Sequence, residues 1–174
     1  MDERRFRDAL GAFPTGVAIV TAAADSGERL GMTVSSFNSV SLSPPLVLFS
    51  LARRAHSFAA WCRTRHYAVN ILSRDQEQLS NRFARALGDK WADTVAIDGA
   101  TGAPLLPNAL AAFECAAHAR HDGGDHAIFV GRVVALHLSA QRHEPLIFFG
   151  GRYRRLDTGF QDPLPQGASM FEGW

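Results

Sequence analysis

The chain has 174 residues, 47% of them hydrophobic, which is the size of one domain with enough apolar material to bury a core without disulfide or metal staples. A formal net charge of +1, with no long run of Lys or Arg, speaks against a nucleic-acid partner. The charged residues 1–5 lead into no apolar signal segment and no stretch reaches transmembrane length, so a cytoplasmic protein with no membrane partner is expected.

Phe6, Leu10 and Phe13 fall at i, i+4 and i+7, so the first dozen residues predict a short amphipathic helix, ended by Pro14, that caps the fold. Residues 17–21 are apolar and β-branched, residues 25–28 carry turn chemistry, and residues 30–41 read as one extended stretch, which together predict a hairpin. After Pro44 and Pro45, residues 46–51 are apolar on both faces, as in a central, fully buried strand. Ser57 stands at an N-cap position before Phe58, Trp61 and Cys62, which share one helical face. Residues 67–72 form a strand, and a second helix begins at the capping box of Ser73 and Gln76, with Leu79, Phe83, Ala86 and Leu87 as its stripe.

Residues 88–108, with Gly99, Gly102, Pro104 and Pro107, read as a loop. Strands return where Phe113, Cys115, Ala117 and Ala119 alternate with Glu114, Ala116, His118 and Arg120, and residues 128–138 form a long strand apolar on both faces. A turn at residues 121–126 joins those two. A last strand, residues 146–149, ends at Gly150 and Gly151, and residues 157–174 form a tail beyond a single domain of residues 1–156. Many strands with only short helices between them predict a mainly β protein, a β-barrel rather than alternating βαβ units.

Three segments could carry chemistry. Residues 31–41 crowd hydroxyl and amide groups along a strand, either as an exposed face or as a row of donors for a polar ligand. Residues 50–57 pass from a buried strand into a helix start with Arg53 and Arg54 nearby, a phosphate site or an ordinary basic loop. Gly124-Asp125-His126 places a histidine at a hairpin beside a long strand, where it could orient a substrate. His118 and His121 are three apart on a strand and point to opposite faces, and no CxxC or HExxH accompanies them, so no metal is expected. Cys62 and Cys115 read as buried free thiols of a reducing compartment. No GxGxxG, GxxxxGK[ST] or GxSxG pattern occurs.

These segments resemble, in order, the flavin reductase-like family with the FMN-binding split-barrel fold, in particular the reductase components of two-component flavin monooxygenases. The resemblance runs through residues 13–21, residues 31–37 (Gly-Met-Thr-Val-Ser-Ser-Phe), residues 39–47, residues 67–72, Arg82-Phe83-Ala84, Gly124-Asp125-His126 and Val130-Gly131. It implies a homodimer that binds FMN or FAD, takes hydride from NADH or NADPH, and supplies reduced flavin to a partner monooxygenase. It further implies that Thr33, Val34, Ser35 and Ser36 lie along the isoalloxazine edge and ribityl chain, and that Asn38, Ser39, Ser50, Leu51, Ala52, Ser57, Arg82 and Phe83 hold the chain and phosphate end. His126, with Arg152 and Tyr153, would meet the nicotinamide. Which of Arg53 and Arg54 meets phosphate stays open. Two rival readings share the fold: a flavin-binding electron carrier without catalysis, and a reductase with cobalamin, iron or a deazaflavin as acceptor.

Overall fold

The structure, a computed structural model, describes residues 1–141 and 144–156; the expected tail at residues 157–174 lies outside the described residues. Helix α1 spans Glu3–Gly11, capped by the Asp2 carboxylate, which accepts the Arg4 amide at 2.9 Å. Then come β1 (Thr15–Gly16), β2 (Ala18–Ala23), β3 (Arg29–Val34), β4 (Asn38–Leu42), β5 (Pro45–Ala52), α2 (Phe58–Trp61) and β6 (His66–Ile71). A 3-10 turn, Arg74–Gln76, runs into α3 (Glu77–Ala84), followed by β7 (Ile97–Asp98), β8 (Pro104–Leu105), β9 (Ala111–Gly123), β10 (His126–Leu138), β11 (Ile147–Phe149) and β12 (Arg152–Arg154). Among the described residues, no helix is long and apolar enough to cross a membrane.

Seven strands form one antiparallel sheet in the order β3-β2-β6-β9-β10-β5-β4. Its two edges, β3 and β4, are consecutive in the chain. Val34 and Asn38 are separated by four Cα steps, so the edges stand within about 15 Å of each other there, and the sheet must curl into a barrel open along one seam. The single extended stretch expected at residues 30–41 is therefore two strands on opposite sides of that seam. The break falls at residues 35–37 because Ser36 turns its hydroxyl onto β5, accepting the Ser50 amide at 2.9 Å and donating to the Ser50 carbonyl at 3.3 Å.

The barrel interior is built around Phe49, which stacks on Phe129 (5.1 Å between centroids, 9°) and meets Tyr67 (5.3 Å, 85°) and Trp61 (6.0 Å, 70°) edge to face. A second cluster, Val17, Ile19, Leu72, Phe83, Leu106 and Leu146, covers the outer face of β2. The strand buried on both faces is therefore β2, not residues 46–51. On β5, Val47, Phe49 and Leu51 are buried while Leu46, Leu48, Ser50 and Ala52 are half-buried, because α3 and β8 pack over β2 and, among the described residues, no helix packs over β5 to the same extent. Thr21 and Asn70 are polar residues on the covered side, and both are satisfied: the Asn70 amide donates to the Ile19 carbonyl and Thr21 Oγ (both 3.1 Å) and accepts the Leu106 amide (2.9 Å), and the Thr21 hydroxyl donates to the Pro104 carbonyl.

Elsewhere the burial differs from the sequence pattern wherever a distant segment decides it. Helix α1 forms where expected but buries none of its residues; Phe6, Leu10 and Phe13 are exposed, and the helix is tied at its end by the Gly150 amide donating to the Gly11 carbonyl (3.0 Å). The capping box forms, with Gln76 Oε1 accepting the Ser73 amide at 3.0 Å, but α3 ends at Ala84 and leaves Leu87 exposed beyond it. Ser57 precedes α2, a single turn, without a capping hydrogen bond from its hydroxyl. The last strand is followed by another: Gly150 and Gly151, at φ +59° and +74°, make the two-residue turn that returns the chain as β12. On β10 Ala127 and residues 129–131 are buried, whereas Val134, Leu136 and Leu138, further along, stand exposed.

The region read as a loop pairs β7 with β8 and folds over the outer face of β9. It buries Glu114, which stands in the row alternating with Phe113 and Cys115, to 0% exposure. The Glu114 carboxylate accepts the amides of Ala100 (3.2 Å) and Thr101 (2.8 Å), the Thr101 hydroxyl (2.7 Å) and His137 Nε2 (2.7 Å). Burial by itself would raise this carboxyl, but the bonds from Thr101, His137 and Ala100 outweigh it and hold it down at about 2, against 4.5 ordinarily. A depressed folded-state value means that the unfolded chain binds the extra proton, so Glu114 stabilises the fold above about pH 4.5 and loses that contribution as pH falls towards 2. Glu114→Gln should cost about 1–3 kcal/mol in urea denaturation at neutral pH, with the gap to wild type narrowing between pH 4.5 and 2; a gap that stays constant over this range would contradict the assignment.

Candidate functional site

The open seam leaves a cavity of about 1210 Å³, at or above the roughly 300–1,000 Å³ of ordinary small-molecule sites. Its walls are β3 with Ser35 and Ser36, the end of β5 with residues 54–57, Phe83 and Ala84 with the loop 85–91, and His126 at the start of β10. Of the residues singled out in the sequence, Thr33, Val34, Ser35, Ser36, Ser50, Leu51, Ala52, Ser57, Phe83 and His126 come together here. The register explains why residues so distant in sequence meet: His126 pairs with Ala52 on β5, and Ser36 is tied to Ser50.

The others lie outside the cavity walls. Asn38 and Ser39 sit on β4, across the seam. Arg82 turns away to the Ala92 carbonyl and to Thr94 Oγ (3.2 Å), holding the following loop. Arg152 is exposed on β12. Tyr153 lies behind the wall: its hydroxyl is 2.8 Å from Ser80 Oγ, and the Ser80 carbonyl accepts the Thr33 hydroxyl at 2.7 Å.

The hydroxyl row therefore divides by use. Thr33 and Ser36 spend their hydroxyls on the framework, whereas those of Ser35, Ser50 and Ser57 have no hydrogen-bond partner among the described residues. The two arginines divide likewise. Arg53 reaches the β9–β10 hairpin, with Nη2 2.7 Å from Asp122 Oδ1 and Nε donating to the Gly124 carbonyl at 2.9 Å. Arg54 lines the cavity and forms no ion pair among the described residues. The hydrogen bond from Arg53 holds the Asp122 carboxyl below its usual range, and that from His126 does the same for Asp125. His126 Nδ1 is 2.7 Å from Asp125 Oδ1; the pairing selects the tautomer with the proton on Nδ1 and leaves Nε2 for a ligand.

The sequence reading missed the loop 85–91, which contributes Arg85, Lys90 and Trp91 to the wall. One local signal was available: Asp89 Oδ1 accepts the amides of both Trp91 and Ala92 at 3.0 Å, a turn chemistry that Asp is suited to.

Residues 10–157 match the family described as "flavin reductase like domain". The FMN reductase (NADH) SmoA of Agrobacterium fabrum is 46% identical over 88% of this chain and 86% of its own. The reductase subunit HsaB of a flavin-dependent monooxygenase from Rhodococcus jostii is 38% identical over 95% of this chain and 84% of its own. Among solved structures, the Streptomyces globisporus NADH:FAD oxidoreductase SgcE6, in complex with NAD and FAD fragments, superposes with a TM-score of 0.85 at 39% identity, covering 90% of this chain and 94% of that one.

The inner wall depends on Gly31, where a Cβ would collide with the ring of Phe83 and come within 3.2 Å of Trp91. Phe83 is itself fully buried and cannot retreat. Gly31→Ala should therefore cost about 1–3 kcal/mol by overpacking, measured by urea denaturation, and should change the near-ultraviolet dichroism of Trp91; a variant as stable as wild type would show that this contact is not fixed.

Proposed function

Because the chain belongs to the flavin reductase-like family, we propose that it is an NAD(P)H-dependent flavin reductase whose seam cavity binds FMN or FAD, accepts NADH or NADPH, and supplies reduced flavin to a partner monooxygenase. The observation that carries this is the convergence, in one cavity, of Ser35, Ser50 and Ser57, whose hydroxyls are unspent among the described residues, with Arg54, which forms no ion pair among them, and His126. These residues fit the group. Val34, Leu51 and Phe83 supply apolar wall for a ring system, the hydroxyls suit a polyhydroxyl chain, and the cation suits a phosphate.

The flavin, when bound, supplies the redox chemistry by accepting a hydride from the nicotinamide. The chain's own residues bind and orient. Thr33, Val34, Ser35 and Ser36 shape one side; Ser50, Leu51, Ala52 and Ser57 hold the chain and phosphate end, with Arg54 rather than Arg53 as the phosphate's cation, since Arg53 is committed to Asp122. His126 presents Nε2 at the nicotinamide's approach, its ring held by Asp125. Tyr153 acts from behind, holding Ser80 and through it Thr33, and Arg82 acts by fixing the loop.

The proposal takes residues 1–156 as one domain of a cytoplasmic homodimer. The dimer reading is supported by the exposed Val40 and Leu42 on β4, Val134, Leu136 and Leu138 on β10, and the uncovered apolar stripe of α1. Leu136→Glu should reduce the mass seen in sedimentation from twice 18.9 kDa to 18.9 kDa; wild type already at the lower mass would remove the dimer.

Anaerobic stopped-flow mixing of protein and flavin with NADH or NADPH should bleach the oxidised flavin band, whereas a flavin that binds yet stays oxidised would favour an electron carrier. In the same assay Arg54→Ala should weaken FMN by about 10–100-fold, the weight of a charge-assisted bond, and leave riboflavin unchanged. His126→Ala should raise KM for the nicotinamide while flavin affinity holds; the reverse pattern would exchange the two roles.

A further inference from the structure

His126 enters the cavity from a hairpin whose turn is two residues long. Gly123 pairs with His126 across it, and Gly124, at φ +75°, takes the first turn position, a conformation open to glycine. Asp122, Gly124 and Asp125 are all exposed, so burial does little to fix where this turn points. Arg53 fixes it with hydrogen bonds. Its backbone amide donates to the Asp125 carbonyl at 2.9 Å, its Nε donates to the Gly124 carbonyl at 2.9 Å, and its Nη2 donates to Asp122 Oδ1 at 2.7 Å. The same Asp122 oxygen accepts the Gly124 amide at 3.1 Å. One residue at the end of β5 thus meets three successive features of the turn.

The clamp is anchored on the frame as well. The Arg53 guanidinium lies 5.9 Å from the centroid of the Phe58 ring, and Phe58 in turn packs edge to face with Phe129 of the barrel core (6.5 Å, 81°). With Arg53 and Asp122 45% and 80% exposed, their ion pair contributes little stability, and what the contact provides is geometry. His126 depends on that geometry twice. Its backbone follows the turn directly, and its ring is oriented through Nδ1, 2.7 Å from the carboxylate of Asp125, a turn residue. A shift of the turn therefore carries the ring and its orienting group together, and displacements of about 1 Å are enough to impair a bound geometry.

We propose that Arg53 is a positioning residue for the hydride donor: by clamping the Gly124–Asp125 turn it aims His126 into the cavity, and the ligand it serves is the nicotinamide rather than the flavin phosphate. The proposal rests on the flavin reductase reading, with His126 at the nicotinamide's approach.

The test compares wild type, Arg53→Ala, Arg53→Lys, His126→Ala and the double substitution Arg53→Ala with His126→Ala. Measured on each are KM and kcat for the nicotinamide that wild type uses, FMN and riboflavin affinity by fluorescence, and the urea midpoint. Arg53→Ala should raise the nicotinamide KM by about tenfold, with flavin affinity and urea midpoint close to wild type. Added to His126→Ala, it should raise KM no further, because the group it acts through is gone. Arg53→Lys keeps the charge but loses the rigid fork, so it should recover only part of the loss, and it carries the test if Arg53→Ala does not fold. Weakened FMN with riboflavin spared would make Arg53 a phosphate ligand and overturn the clamp. An equal rise in KM with and without His126 would overturn it too, since Arg53 would then act independently of that ring, and so would an unchanged KM. Failure of the reading beneath looks different: wild type that bleaches no flavin with either nicotinamide, or His126→Ala with the KM of wild type, removes the premise and the clamp's role with it.

Discussion

A connection of three residues, 35–37, joins the two edges of a seven-stranded sheet, and the rest of the molecule follows from that constraint. It forces the sheet to curl until its first and last strands stand side by side. It does not let them pair, because Ser36 gives its hydroxyl to the Ser50 backbone on β5 rather than continuing a ladder from β3. An exposed pair of strand edges is normally a hazard for association. Here the backbone on one side of the seam faces a cavity, and the same tie that closes the barrel brings Ser35 and Ser36 level with Ser50 and Ala52. Closure and site are one event.

A cavity at a seam needs walls that do not move, and these come from outside the barrel. Helix α3 packs over β2 and β3, delivering Phe83 against Gly31 and the Ser80 carbonyl against Thr33. The small sheet of β1, β11 and β12 then braces α3 through Tyr153. Each contact is a single hydrogen bond or ring edge, individually of the order of 1 kcal/mol. Their value to the site is positional: Thr33 cannot rotate into the cavity without breaking its bond to Ser80. The second hydrophobic cluster serves the site, whereas the barrel core, centred on Phe49, serves closure.

Much of this was legible in local pattern. The β-branched runs, the capping box of Ser73 and Gln76, the turn at Gly124, and the hydroxyl-rich residues 33–36 are signals that short-range physics can read, and they led to the barrel and to ten of the cavity residues. Which face of a strand is buried could not be read in the same way. Residues 46–51 and 18–22 are both apolar throughout, and only the later arrival of α3 and β8 over β2 makes the second the doubly buried one. Glu114 looks like a surface residue until residues 97–105 fold over it. Lys90 and Trp91 sat in a stretch without periodicity, and their place in the wall depends on a backbone carbonyl 59 residues away.

Arg53 and Arg54 show the same limit in its sharpest form, and also what decides it. They are adjacent, identical and both exposed, so no local rule can rank them. The ranking comes from the β9–β10 hairpin, which pairs against β5 and brings Asp122 to Arg53 and Asp125 to His126. Both aspartates are held below the usual carboxylate range by those same partners, so both remain ionised wherever an enzyme of this kind would work. The hairpin thus gives one carboxylate to Arg53 and one to the histidine, and among the described residues none stands within ion-pair distance of Arg54. The charge left without a carboxylate within ion-pair distance beside Ser50 and Ser57 is a consequence of this pairing, and a phosphate is the ligand it selects. Recognition at this end of the cavity is accordingly set by a strand register, and a change in the hairpin that freed Asp122 would alter it without touching a single cavity residue.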